Sequence, residues 1–96
     1  MARVLEVKDR SGKLVYLTDE RYKHILKHPE MQNSLQLIEQ TVKNPDKMAQ
    51  YSIDPAIRLY YTHHKNRKSK ARYLRVAVKY LNGEGFVITA YFVVNI

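Results

Sequence analysis

Apolar and polar residues alternate, or nearly so, in VLEVKD and again in KLVYL, and the RSG between them supplies a glycine for a short reversal. That pattern predicts a β-hairpin over residues 3–17. In LTDERYKHILKHPE the period lengthens: Tyr22, Ile25 and Leu26 recur at helical spacing, Thr18 and Asp19 are capping candidates, and Pro29 is a stop. A helix of about three turns is expected there. A second helix begins where Asn33 or Ser34 can cap it, carries Leu35, Leu37, Ile38, Thr41 and Val42 as its apolar stripe, and ends at Asn44-Pro45.

From Lys47 onward β-branched and aromatic residues become denser and the period shifts toward two, which predicts strands near residues 48–53, 56–64, 71–81 and 85–94. Asp54-Pro55, the basic KNRKSK and Asn82-Gly83-Glu84-Gly85 separate them. The order ββααββββ predicts an α+β domain: an N-terminal hairpin, two helices, then a four-stranded antiparallel sheet with the helices on one face. Alternation then divides each strand into two sets of side chains. The sets expected to pack under the helices are Ile57, Leu59 and Tyr61; Leu74, Val76, Val78 and Tyr80; and Phe86, Ile88, Ala90, Phe92 and Val94. The open face is expected to carry Arg58, Tyr60, Thr62 and His64, then Tyr73, Arg75, Ala77 and Lys79, then Val87, Thr89, Tyr91 and Val93.

Ninety-six residues, 45% of them apolar, with three glycines and three prolines, suit a single ordered domain spanning 1–96. No apolar run is long enough for a signal peptide or a membrane span, so a cytoplasmic protein is expected. The chain has no cysteine, which removes disulfides and thiolate chemistry. Its formal net charge is +8, and no acid lies between Asp54 and Glu84, where Arg58, Lys65, Arg67, Lys68, Lys70, Arg72, Arg75 and Lys79 all fall. Such a balance favours a polyanionic partner, nucleic acid above an anionic membrane, because the basic residues sit in strand-like sequence rather than along an amphipathic helix.

Cations, phenols, hydroxyls and a histidine on one sheet face are what RNA cleavage without a metal requires. The ribose 2′-OH attacks its own phosphate, so a base must take one proton, an acid must give one to the 5′-oxygen, and cations must hold charge on the phosphoryl oxygens. The expected open face gathers no carboxylates for Mg²⁺, so no cofactor is expected. His24 and His28 share a helical face with Arg21; they could exchange protons, or could simply pack about the helix end, and as a zinc pair they lack an evident third ligand. The tyrosines could stack bases of a single strand. A solvated polar sheet face and a mobile basic loop would use the same residues.

The pattern LTDERYKHILKHPEM, a second helix ending TVKNPD, then RLYYTHH, YLRVAVKY and GFVITAYFV resembles the barnase/EndoU/colicin/RelE-like nucleases, within them the phage-associated subgroup, over residues 14–94. The resemblance implies a metal-independent endoribonuclease, toxin-like in character, with His24, Lys79, Thr89 and Tyr91 as site residues, tRNA or mRNA as target, and an antitoxin or immunity protein as a possible partner. In that reading His24 or Tyr91 transfers protons, Lys79 and Arg75 stabilise the phosphorane, and Thr89 orients phosphate or base. Arg58, Tyr60, His64, Lys65, Arg67, Lys68, Lys70, Arg72, Tyr73 and Arg75 would hold RNA. The rival readings are a non-catalytic nucleic-acid-binding module and a phage or toxin–antitoxin accessory protein whose sheet face docks an acidic partner.

Overall fold

The alternating first segment pairs with itself: β1 (Arg3–Lys8) and β2 (Leu14–Thr18) lie antiparallel, Lys8 opposite Leu14, in the computed structural model, which describes residues 2–96. Their reversal is organised by Asp9, whose Oδ1 accepts hydrogen bonds from the Ser11 amide and hydroxyl and from the Lys13 amide at 2.7–2.9 Å. Thr18 then caps α1 (Asp19–Ile25), its Oγ1 accepting from the Arg21 amide at 3.2 Å. This helix has two turns rather than three, and Pro29 opens a 3-10 turn (Pro29–Met31) instead of only ending a helix. In α2 (Leu35–Lys43) Ser34 holds the capping position, but its hydroxyl is buried and makes no cap bond.

Four further strands follow: β3 (Lys47–Gln50), β4 (Ile57–His63), β5 (Tyr73–Leu81) and β6 (Glu84–Val93). The architecture is α+β, but the expected hairpin plus four-stranded antiparallel sheet is corrected to one mixed sheet of six strands, ordered β1-β2-β6-β5-β4-β3. The hairpin joins through a short parallel pairing, Val15 opposite Gly85 and Tyr16 opposite Phe86. Left apart, β2 and β6 would each present unpaired backbone groups and an unburied apolar side; joined, they bury Val15, Leu17 and Val87 in the common core. Gly85 is needed at this junction, because a Cβ there would lie 2.7 Å from Val78 Cγ1 and 2.8 Å from Tyr80 Cε1.

Ile25, Met31, Ile38 and Val42 from the helical segments pack with Val7, Val15 and Leu17 of the hairpin and with Tyr60, Leu74, Val76, Val78, Val87, Ala90 and Phe92 of the sheet. These contacts define the inward face. In β5 it is the expected one. In β4 the expected phase is reversed: Tyr60, 1% exposed, stands opposite Val76 in the core, so Ile57, Leu59 and Tyr61 belong to the open face, while Arg58, Tyr60, Thr62 and His64 belong to the helix side. In β6 a bulge opposite the Ala77–Val78 step leaves Ile88 without a partner and shifts the phase. Val87 therefore packs inward and Phe86 outward, whereas Ala90 and Phe92 point in and Thr89 and Tyr91 point out. Among the described residues no helix is long and apolar enough to cross a membrane.

Candidate functional site

Reading across the open face, the register sets Tyr61, Arg75 and Tyr91 in one row and Leu59, Ala77 and Thr89 in the next. Along them runs a cleft of about 310 Å³ lined by Tyr51, Ile57, Leu59, Arg75, Ala77, Ile88, Thr89 and Tyr91. Its charged centre is Arg75. Nε donates to the Tyr61 hydroxyl at 3.0 Å and one terminal nitrogen donates to the Tyr91 hydroxyl at 3.2 Å. Burial works against this guanidinium's charge, but the bonds to Tyr91 and Tyr61 outweigh it and hold the group above the usual arginine range. Two of its five N–H donors are committed, which leaves three for an anion. Because both phenol oxygens accept from Arg75, the O–H of Tyr91 is left to donate into the cleft.

Aromatic stacks flank this centre. His28, just past α1, stacks on Tyr91 with centroids 5.4 Å apart and a 25° interplanar angle, and His63 stacks on Tyr73 at 4.6 Å and 20°. Of the two histidines in the α1 segment, His28 is the one that meets the sheet. His24 lies in a shallow groove with Glu20, Lys23 and Lys27 on the surface of α1, outside the Arg75 cleft. Lys79 is on the open face but is ion-paired to Asp54 at 3.1 Å and does not line the cleft. The Asp54 carboxyl is held below the usual carboxylate range by the Ala56 amide and then by Lys79. A carboxylate therefore does reach this face, contrary to the expectation that it has none.

The remaining candidates divide by location. Lys65, Lys68, Lys70 and Arg72 are exposed in the β4–β5 loop. Arg67 instead folds back, its guanidinium 3.7 Å from the Phe92 ring centroid and its Nε donating to the Ala71 carbonyl. Tyr60, expected in the open, is locked in the core: its hydroxyl bonds to that of Tyr80, which donates to Asp9 Oδ2 at 2.7 Å. Arg58 sits on the same side, 5.4 Å from the Tyr80 ring centroid. Burial, then the bonds to Tyr60 and Asp9, push the Tyr80 phenol far above its ordinary value. Although burial alone would raise Asp9, bonds from Ser11, Tyr80 and Lys13 bring it below the carboxylate norm.

His64 belongs to a second helix-side chain of polar groups: Thr41 donates to the Leu37 carbonyl and accepts from Thr62, both at 2.7 Å, and Thr62 meets His64 Nε2 at 2.9 Å. Burial lowers the affinity of His64 for a proton, Arg67 and His63 lower it further, and Asp46 only partly opposes them. Arg58, Tyr60 and His64 thus leave the open face, and Tyr51, Tyr61, His28 and His63 enter it. His28 carried a signal, seven residues after Arg21 on the same helical face; Tyr61 was hidden by the reversed phase of β4. Among the described residues no cluster of three His, Asp or Glu side chains is placed to hold a metal ion. Compared with family models, curated proteins and solved structures, the chain matches none.

Proposed function

We propose that the protein is a metal-independent endoribonuclease that binds single-stranded RNA across its open sheet face. The observation that carries this reading is Arg75, fixed between two phenols at the centre of a cleft that no carboxylate lines, with donors left over for a phosphate. The stacks His28–Tyr91 and His63–Tyr73 offer exposed π-faces on either side for bases. In the reaction the ribose 2′-oxygen bonds to phosphorus as the bond from phosphorus to the 5′-oxygen breaks. Arg75 holds the charge on the non-bridging oxygens, Tyr91 delivers a proton to the leaving oxygen, and His28, stacked beside it, takes the proton of the 2′-OH. Thr89 orients the phosphate. The products are a 2′,3′-cyclic phosphate and a 5′-hydroxyl. His24 and Lys79 have secondary parts here: His24 lies on the outer surface of α1, and Lys79 reaches a phosphate only by leaving Asp54.

Purified protein incubated with end-labelled tRNA and with an unstructured RNA, EDTA present, tests this. Cyclic-phosphate ends are expected, reduced at least about 100-fold by Arg75→Gln and by Tyr91→Phe, the latter with RNA affinity retained. Fragments with 5′-phosphate ends, or cutting indifferent to both substitutions, reject the mechanism. The aromatic stacks also support a second reading, a binding module that holds RNA intact. It predicts salt-sensitive binding with no cutting of either RNA, alone or with ribosomes added.

A further inference from the structure

Two rows beyond Arg75 on the open face, the sheet register sets Ile57, Lys79 and Phe86 side by side. Lys79 follows Arg75 by four residues, so the two cations share a face about 13 Å apart along β5. The cleft runs from the one toward the other, since Arg75, Ala77 and Ile57 line it in successive rows. At the Lys79 end stands Asp54, in the turn between β3 and β4, its Oδ2 lying 3.1 Å from Lys79 Nζ. We propose that this pair is a gate: Asp54 occupies a phosphate position on Lys79 until an RNA strand already held at Arg75 displaces it with a phosphate of its own. The inference rests on the RNA-binding reading above and adds to it a residue, Asp54, that makes affinity depend on strand length.

Three features support it. First, the carboxylate is held in place by its own turn. Asp54 Oδ1 accepts from the Ala56 amide, the Asp54 carbonyl accepts from the Ile57 amide, and Gln50 Nε2 donates to the Pro55 carbonyl, all at 3.0 Å. The Ala56 amide also does more than Lys79 to hold the Asp54 carboxyl below its usual range, so the turn keeps its form when Lys79 lets go. Second, the pair can be broken. Both side chains are about a third exposed, and such a pair is weak and screened by salt. A phosphate on a strand already bound at Arg75 arrives at high effective concentration. Third, the exchange conserves the chemistry. A carboxylate oxygen and a phosphate oxygen accept the same charge-assisted bond from an ammonium group, and the displaced Asp54 returns to water with its Ala56 bond intact. The side chains flanking Lys79 across the sheet, Ile57 and Phe86, offer it no other acceptor.

The test measures binding of non-cleavable 2′-O-methyl uridine oligomers, a hexamer and a dinucleotide with a single phosphate. Asp54→Asn keeps an oxygen for the Ala56 amide and removes the charge. It is expected to bind the hexamer about threefold to fivefold more tightly than the native protein, and the dinucleotide no better. Asp54→Ser, whose hydroxyl can take the same amide bond, should behave alike. Lys79→Gln should reduce the slope of log affinity against log salt for the hexamer by about 0.7, and in its background Asp54→Asn should bring no gain. In NMR titrations the Asp54 carboxyl carbon should shift with the hexamer and stay unmoved with the dinucleotide. An Asp54→Asn gain that persists without Lys79, an equal gain for both oligomers, or no gain at all overturns the gate. The two readings fail separately: hexamer binding that depends on Arg75 but ignores Asp54 rejects only the gate, whereas a hexamer that does not bind, or binds without need of Arg75, rejects the RNA-binding reading and the gate with it.

Discussion

Tyr80 shows how much a single hydroxyl can organise. It donates to Asp9 and bonds to Tyr60, so Tyr80→Phe leaves a buried carboxylate short of one donor and a buried phenol without its partner. A loss of about 1–3 kcal/mol is expected, read as a lower midpoint in urea unfolding. His64 makes the fold sensitive to pH. Its folded-state proton affinity is depressed, so the unfolded chain takes up the proton first as pH falls. The stability it contributes is complete above the ordinary histidine value of ~6.5 and declines as pH falls through that value toward the folded one. The urea midpoint should therefore drop between pH 7.5 and pH 5.0, and drop less in His64→Gln; an equal drop in both proteins would place the effect elsewhere.

Among the elements, β4 and β6 show where the sequence was legible. Helix and strand order, the Thr18 cap and the inward face of β5 could all be read from period and turn residues, because each is a local preference. The facing of β4 could not. Ile57, Leu59 and Tyr61 form the more apolar set, which pattern alone puts in the core, yet the cleft on the open face is itself lined by Ile57, Leu59, Ala77 and Ile88, while Tyr60 enters the core because Tyr80 gives its hydroxyl a partner. The bulge at Ile88 left no mark either, since an unpaired residue in β6 is defined by its neighbour β5. Of the candidate site, the sharing of one face by Arg75, Thr89 and Tyr91 was legible, and they line one cleft, but alternation alone could not bring in Tyr61 or exclude Tyr60. Gly85→Ala tests the junction of β2 with β6. Its added methyl meets Val78 and Tyr80, with an expected cost of about 1–3 kcal/mol in thermal or urea unfolding.

On the proposed function, charge is spread over the whole molecule so that affinity and chemistry can be separated. Lys68 and Lys70 are exposed in the loop beyond the cleft. If both touch phosphates, replacing them with glutamine should reduce the slope of log affinity against log salt by about 1.4, with Arg75-dependent cutting preserved. The mixed sheet itself was beyond reach of local pattern, since Val15 meets Gly85 across most of the chain and Asp9 meets Tyr80 in the same way. That long-range closure governs how the protein comes into being. β6 lies between β2 and β5 inside the sheet, yet it follows all five of its fellow strands in chain order. Without it the hairpin has no strand neighbour in common with β3, β4 and β5 and meets them only through the helices, so folding is expected to be slow and to finish as one late step. Tyr91 sits on β6, so the Arg75 cleft takes shape only when this strand has docked between β2 and β5.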